Sequence, residues 1–254
     1  MAMPELFQFK VSHFNEKARW ALDFKGIEHV RHSLLPGPQK PRMQKLSGQP
    51  QVPVLRDGHD VVAGSARIID YLETRYPEPR LYPRDEATRC RALELQARFD
   101  SEVGPAIRLA MFHELLIEPG YFVSLFTSGQ PLLTRVGYRA IFPLVRVLMA
   151  REMKITAENA ATALATTRRA FDLVAAESRK TGYLAGDSFS VADLAAASLL
   201  APGVAIEPSP FGYPKPISSS LRAWWDRWRD HPGAAWVSSM YERHRGASRE
   251  LAAA

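Results

Sequence analysis

Ser12, His13 and Asn15 stand directly ahead of a basic amphipathic stretch in KVSHFNEKARWALDFKGI, residues 10–27. A hydroxyl at the mouth of a helix can accept a bond from an orphan first-turn N–H and cap the helix. Its own proton can also be donated to an anion drawn to the helix N-terminus. Ser12 is therefore a cap or a catalytic hydroxyl, and its immediate neighbours leave both open. Asn15 could share the capping, and His13 reads as a loop-surface residue. A second group is QVPVL, residues 51–55. Proline cannot donate to a sheet ladder, so Pro53 is either a trans residue on an edge strand, the simpler reading of these residues alone, or the cis bend of a chain. The bend would free the Val52 backbone to pair with an extended peptide, with Gln51 beside it. A third is VVAGSARIIDYLE, residues 61–73. Gly64-Ser65 ends a strand and opens a helix, with Ser65 as the N-cap and exposed first-turn amides that attract a carboxylate.

Composition limits what these groups can be doing. The chain has 254 residues, 46% hydrophobic and 24% charged, with 33 Lys and Arg against 27 Asp and Glu. That is long enough for one large or two smaller domains with real cores. The basic residues are dispersed, which describes a solvated surface rather than a nucleic-acid footprint. Cys90 is the single cysteine, which excludes a disulfide framework, a CxxC pair and a thiolate metal cluster, and suits a cytoplasmic location. In its helical context it reads as a small buried residue. There is no long apolar run for a membrane span, no secretory signal pattern, and no GxGxxG, GxxxxGK[ST] or HExxH. Nucleotide and zinc chemistry have no support.

The elements that must hold these groups are legible as periodicities. ELFQF, EHVRHSL and PVLRDGHDVVAG read as strands, the last as a hairpin about Asp57-Gly58. Phe14, Ala18, Ala21 and Leu22 recur at helical spacing, as do Ser65, Ile68, Ile69, Leu72 and Tyr76. The order β-α-β-α-β-β-α predicts a compact sheet with helices packed on it. YPEPRLYPRD, residues 76–85, then breaks the chain. Beyond it the pattern is helical throughout, predicting an α/β domain over 1–78 and an all-helical domain over 86–254. YLAGDSFSVADLAAASLL, residues 183–200, carries a capping box of Ser190 and Asp193 with Phe189 and Leu194 as its hydrophobic staple. It is a folding element rather than a catalytic pair.

Together SHFNEKAR, QVPVL, AGSAR and the SVAD cap resemble the glutathione transferase superfamily over nearly the whole chain. The resemblance implies a thioredoxin-like N-terminal domain followed by an all-α helical-bundle domain. It implies a cis Val52–Pro53 bond and backbone pairing of Val52 with the cysteinyl part of glutathione, with Gln51 adjacent. Ser65 would hold the γ-glutamyl carboxylate. Gly64 stands where the family carries an acidic residue, so the ligand's ammonium needs another partner, for which Asp100 and Glu102 are best placed in sequence. Ser12 falls at the catalytic position, seven residues before Arg19. Lowering a free thiol's pKa of ~8.5 by about two units requires ~2.7 kcal/mol. A hydroxyl bond to a charged acceptor contributes roughly 1.5–3 kcal/mol, and a helix N-terminus ~0.3–1. Serine rather than cysteine at position 12 disfavours mixed-disulfide chemistry. Pro105, Arg108 and Phe112 would line the pocket of a small apolar electrophile, beneath a helical hairpin over residues 120–155. No metal is implied. A homodimer is the family's habit, and a non-catalytic interaction module on the same fold is the alternative.

Overall fold

Leu6 and Phe7 point to opposite faces of one strand, and each enters its own core. The computed structural model describes residues 3–252. Its first part runs β1 (Glu5–Gln8), α1 (His13–Phe24), β2 (His29–Ser33), α2 (Lys40–Ser47), β3 (Val54–Asp57), β4 (Asp60–Ala63) and α3 (Ser65–Arg75). That is the expected β-α-β-α-β-β-α order of a thioredoxin-like domain. β1 pairs parallel with β2 and antiparallel with β3, which pairs antiparallel with β4. The period-two alternation sorts side chains as the pleat requires. Leu6 and Leu55 face α1 and α3 in the main core, while Phe7, Val54 and Ala63 close over Met43 of α2.

The helical part comprises α4 (Glu86–Arg98), α5 (Gly104–Leu115), α6 (Pro119–Thr127), α7 (Leu132–Glu152), α8 (Ala157–Glu177), α9 (Val191–Leu200), α10 (Ser219–Asp226) and α11 (Pro232–His244). A π-helical turn, Phe99–Val103, joins α4 to α5. α9 is buried along its whole length, which makes its start a costly place for unpaired polar groups. The capping box forms there as read. Asp193 accepts from the Ser190 N–H at 3.0 Å and the Ser190 hydroxyl at 2.9 Å, and also from the Leu184 N–H at 2.8 Å.

Two expectations need correction. The second half is not purely helical: Glu250–Leu251 returns as β5 and pairs parallel with β2, giving a five-stranded sheet ordered β4-β3-β1-β2-β5. A two-residue strand carries no periodicity to read. Cys90 is exposed rather than buried. Ala92, Leu95 and Gln96 mark the inward face of α4, and Cys90 falls on the other side, 3.6 Å from Glu86.

The hairpin of α6 and α7 reaches back to the loop after β2. Tyr138 Oη donates to the Pro36 carbonyl at 3.1 Å, Gln130 to that of Ser33 at 3.1 Å, and Lys40 pairs with Glu152 at 2.8 Å. α7 buries Tyr138 and Phe142 inward, yet its solvent face carries Leu133, Val136, Leu144 and Leu148, each more than half exposed. Among the described residues, no helix is long and apolar enough to cross a membrane.

Candidate active site

The strand register brings the three polar segments to one end of the sheet. Phe7 of β1 pairs with Val54, and Val54 pairs with Ala63. The chain leaving β1 toward Ser12, the chain approaching β3 through Val52-Pro53, and the chain leaving β4 through Gly64-Ser65 therefore converge. The Gly64 N–H donates to the Pro53 carbonyl at 2.9 Å and ties two of them together. The loop after β2 begins at the same end of the sheet, where the Leu34 N–H donates to the Gln8 carbonyl. α7 lies against that loop, so the helical hairpin roofs this end of the sheet.

Ser12 is the N-cap of α1, and its Oγ accepts from the Asn15 N–H at 3.4 Å. Its neighbours depart from expectation. His13 is buried rather than on a loop surface, with Nε2 2.9 Å from the Gly104 carbonyl at the start of α5. Burial pushes its pKa down to about 3, and the nearby Arg108 charge acts in the same direction. Asn15 contributes only its backbone to the cap. Its side chain is buried with both polar atoms unpartnered. Arg19, the other residue of the motif, is buried away from Ser12 and bonds Glu16 at 2.7 Å and Gln8 at 2.5 Å.

Val52–Pro53 is cis. No described residue hydrogen-bonds the Val52 backbone, whereas the exposed Gln51 has its carbonyl engaged by Gln49 at 3.1 Å. At α3 the expected cap shifts by one residue. Gly64 is the N-cap, with φ +95°, and Ser65 is the first helical residue. A left-handed φ suits glycine, which accounts physically for Gly64 between a β-hairpin and a helix. Displaced into the helix, the Ser65 hydroxyl bonds no described residue, and the backbone N–H groups of residues 65–67 precede the first helical acceptor pairing, Ile68 to Gly64. These are the orphan donors that attract anions.

Asp100 and Glu102 lie in the π-helical turn. Asp100 is bonded by the fully buried Lys17 at 2.6 and 2.7 Å, so its charge is already answered. It nonetheless shares a cavity of about 140 Å³ with Ala66, in the first turn of α3, and with Asp70 one turn further along that helix. Glu102 is exposed and 3.5 Å from Arg98, away from that cavity. A larger cavity, lined by Tyr121, Ser124 and residues 214–218, contains none of the predicted site residues. Lys17 and His13 had no local signal; both are defined by contacts to residues some 80–90 positions away.

Pro105, Arg108 and Phe112 come from α5, whose first residue meets the first turn of α1. A Cβ on Gly104 would lie 2.5 Å from the Phe14 ring, which records how closely the two helices meet. Pro105 opens α5 beside it and is half-buried. Phe112 packs edge-on against Phe122 at 4.9 Å. Among the described residues there is no group of three or more His, Cys, Asp or Glu placed to hold a metal ion.

A thioredoxin-like sheet followed by a helical domain, with the polar segments gathered where they meet, defines a glutathione-transferase architecture. Residues 6–80 match the family model described as the glutathione S-transferase N-terminal domain, and residues 138–232 match that of the C-terminal domain. The chain belongs to the glutathione transferase superfamily. It is 34% identical over 114 residues to a zeta-class glutathione S-transferase of Euphorbia esula, a stretch covering 43% of this chain and 50% of that protein. The match thus spans about half the length of the curated relative. A solved glutathione S-transferase from Rhodospirillum rubrum superposes with a TM-score of 0.65 at 20% identity, covering 96% of this chain and 90% of the other. A theta-class enzyme from Xanthomonas axonopodis, solved with glutathione bound, gives 0.59 at 20% identity, covering 98% and 100%.

Proposed function

We propose that the protein is a glutathione-dependent transferase that activates the thiol of glutathione for attack on a small, largely apolar electrophile. The observation that carries this reading is the convergence of Ser12, the unpaired Val52 backbone and the Gly64-Ser65 helix start at one end of the sheet. Val52 would pair with the peptide backbone beside Pro53 and Gln51. Ser65 and the first-turn amides of α3 would hold the γ-glutamyl carboxylate. Asp70, which lines the cavity next to Ala66, would answer the ammonium in place of an acidic residue at Gly64, since Asp100 in the same cavity is already paired with Lys17. Ser12 would donate its hydroxyl proton to the sulfur, favouring thiolate. Pro105, Arg108 and Phe112 would wall the electrophile's side. A homodimer and a cytoplasmic setting belong to the same proposal.

One observation favours a second reading. The apolar solvent face of α7 suits a non-catalytic member of the superfamily that acts as an interaction module. Calorimetry with glutathione separates the two. Micromolar binding, with retention on immobilised glutathione, supports the transferase; no heat at millimolar ligand leaves the interaction module.

A further inference from the structure

Gly104, Arg108 and Phe112 are spaced four apart and share one face of α5. Gly104 abuts the Phe14 ring, and the Arg108 guanidinium carbon stands 5.9 Å from the centre of the same ring. Phe112 meets Phe126 edge-on at 6.4 Å, and Phe126 meets Phe9 in the same way at 6.4 Å. This face of α5 therefore fronts the end of β1 and the first turn of α1, where Ser12 sits. Arg108 also feels Glu152 from the end of α7, but that carboxylate is bonded to Lys40. The guanidinium thus lies in the cleft between the two domains, under the hairpin.

What distinguishes it is the lack of a counter-charge. The buried cations of the molecule are otherwise answered: Lys17 by Asp100, Arg19 by Glu16, Lys25 by Glu73, Arg31 and Arg245 by Asp23. Arg108 forms no hydrogen bond or ion pair with any described residue, and its Nε is shut off from solvent. Arg108 is half-buried, and an uncompensated charge is destabilising in so far as it is cut off from water. Burial accordingly lowers its proton affinity.

We propose that Arg108 binds a carboxylate on the electrophile, so that the second substrate is an organic anion with an apolar body. A guanidinium presents paired, coplanar donors that match a carboxylate. The Phe14 ring orients the guanidinium, and Phe112 offers an apolar surface one turn further along the helix. Of the two acidic groups of the adjoining π-helical turn, Asp100 is neutralised by Lys17 and Glu102 is solvent-exposed beside Arg98, so neither opposes an incoming anion. The substrate class rests on the transferase reading above; the anion site itself does not.

The probes are 4-chloro-3-nitrobenzoate, which releases chloride as the carbon–sulfur bond forms, and its neutral methyl ester. The ratio of kcat/KM for acid over ester should fall by about tenfold or more in Arg108→Met and partly recover in Arg108→Lys. Taking the ratio cancels the intrinsic reactivity of the two compounds and any general loss of fold. In parallel, calorimetry with 3-nitrobenzoate and no glutathione should show binding to the wild type that Arg108→Met weakens by a similar factor. An unchanged acid-to-ester ratio, or nitrobenzoate binding indifferent to residue 108, overturns the proposal. If a higher glutathione dissociation constant accompanies that unchanged ratio, Arg108 serves the tripeptide instead, and the proposal is equally wrong. Arg108-dependent nitrobenzoate binding without any turnover with glutathione would sustain the anion site and sink the transferase reading. Turnover that ignores residue 108 would do the reverse.

Discussion

Ser12 Oγ accepts the Asn15 N–H at 3.4 Å, a long bond that uses a lone pair and leaves the hydroxyl proton to donate elsewhere. Capping and thiolate stabilisation therefore coexist on one side chain, and the cap contributes little. Gly64 is settled by its backbone. At φ +95° an L side chain is strained, so Gly64→Ala should cost about 1–3 kcal/mol in urea denaturation. Gly64→Glu would suffer the same loss before any gain from a new charge, and its net effect on glutathione binding is therefore smaller than the residue's charge suggests. His13 links the domains through Gly104 and should be felt in acid. Its folded pKa of about 3 lies below the usual 6.5. The unfolded chain takes the proton first, and stability is lost as pH falls from 6.5 toward 3, by about 1.4 kcal/mol per unit at most. Denaturation of His13→Gln across that window should show a shallower slope than the wild type; parallel slopes would mean the imidazole is not shielded.

At the scale of elements, legibility followed locality. Strands β1 to β4, α1, α3 and the capping box are written in alternations and spacings of a few residues, and each stands where those patterns put it. Asp193 shows how much such a local motif can hold. With three donors on one buried carboxylate, Asp193→Ala should destabilise the protein by about 2–4 kcal/mol, read as a lowered urea midpoint at unchanged slope. A change below about 0.5 kcal/mol would mean α9 is held by packing alone. Most of what was not legible is non-local. The surface reading of His13 fails because the residue's acceptor is 91 positions away. The cap at Ser65 slips by one because the hairpin before it ends in a left-handed glycine. The π-helical turn that delivers Asp100 to Lys17 has no sequence signature at all.

Across the whole molecule, the chain closes on itself through residues 245–251. β5 extends the sheet at β2, the Arg249 N–H donates to Asp23 at 2.7 Å, and Arg245 joins Asp23 and Glu16 beneath it. Removing residues 247–254 should lower stability by about 1–3 kcal/mol while leaving glutathione affinity unchanged, because that edge of the sheet is remote from the β3–β4 side where the ligand is proposed to lie. Calorimetry on the truncated chain checks both halves of that statement. The convergence of Ser12, Val52 and Ser65 at one sheet end is the claim on which the rest depends, and its sharpest test is the ionisation of bound glutathione. Thiolate absorbance titrated against pH should give the wild-type complex a thiol pKa about two units below the free value of ~8.5, and Ser12→Ala should raise it by about one to two units with little change in affinity. Superimposable titrations of the two proteins, or a bound thiol that ionises like the free one, would contradict the assignment of Ser12.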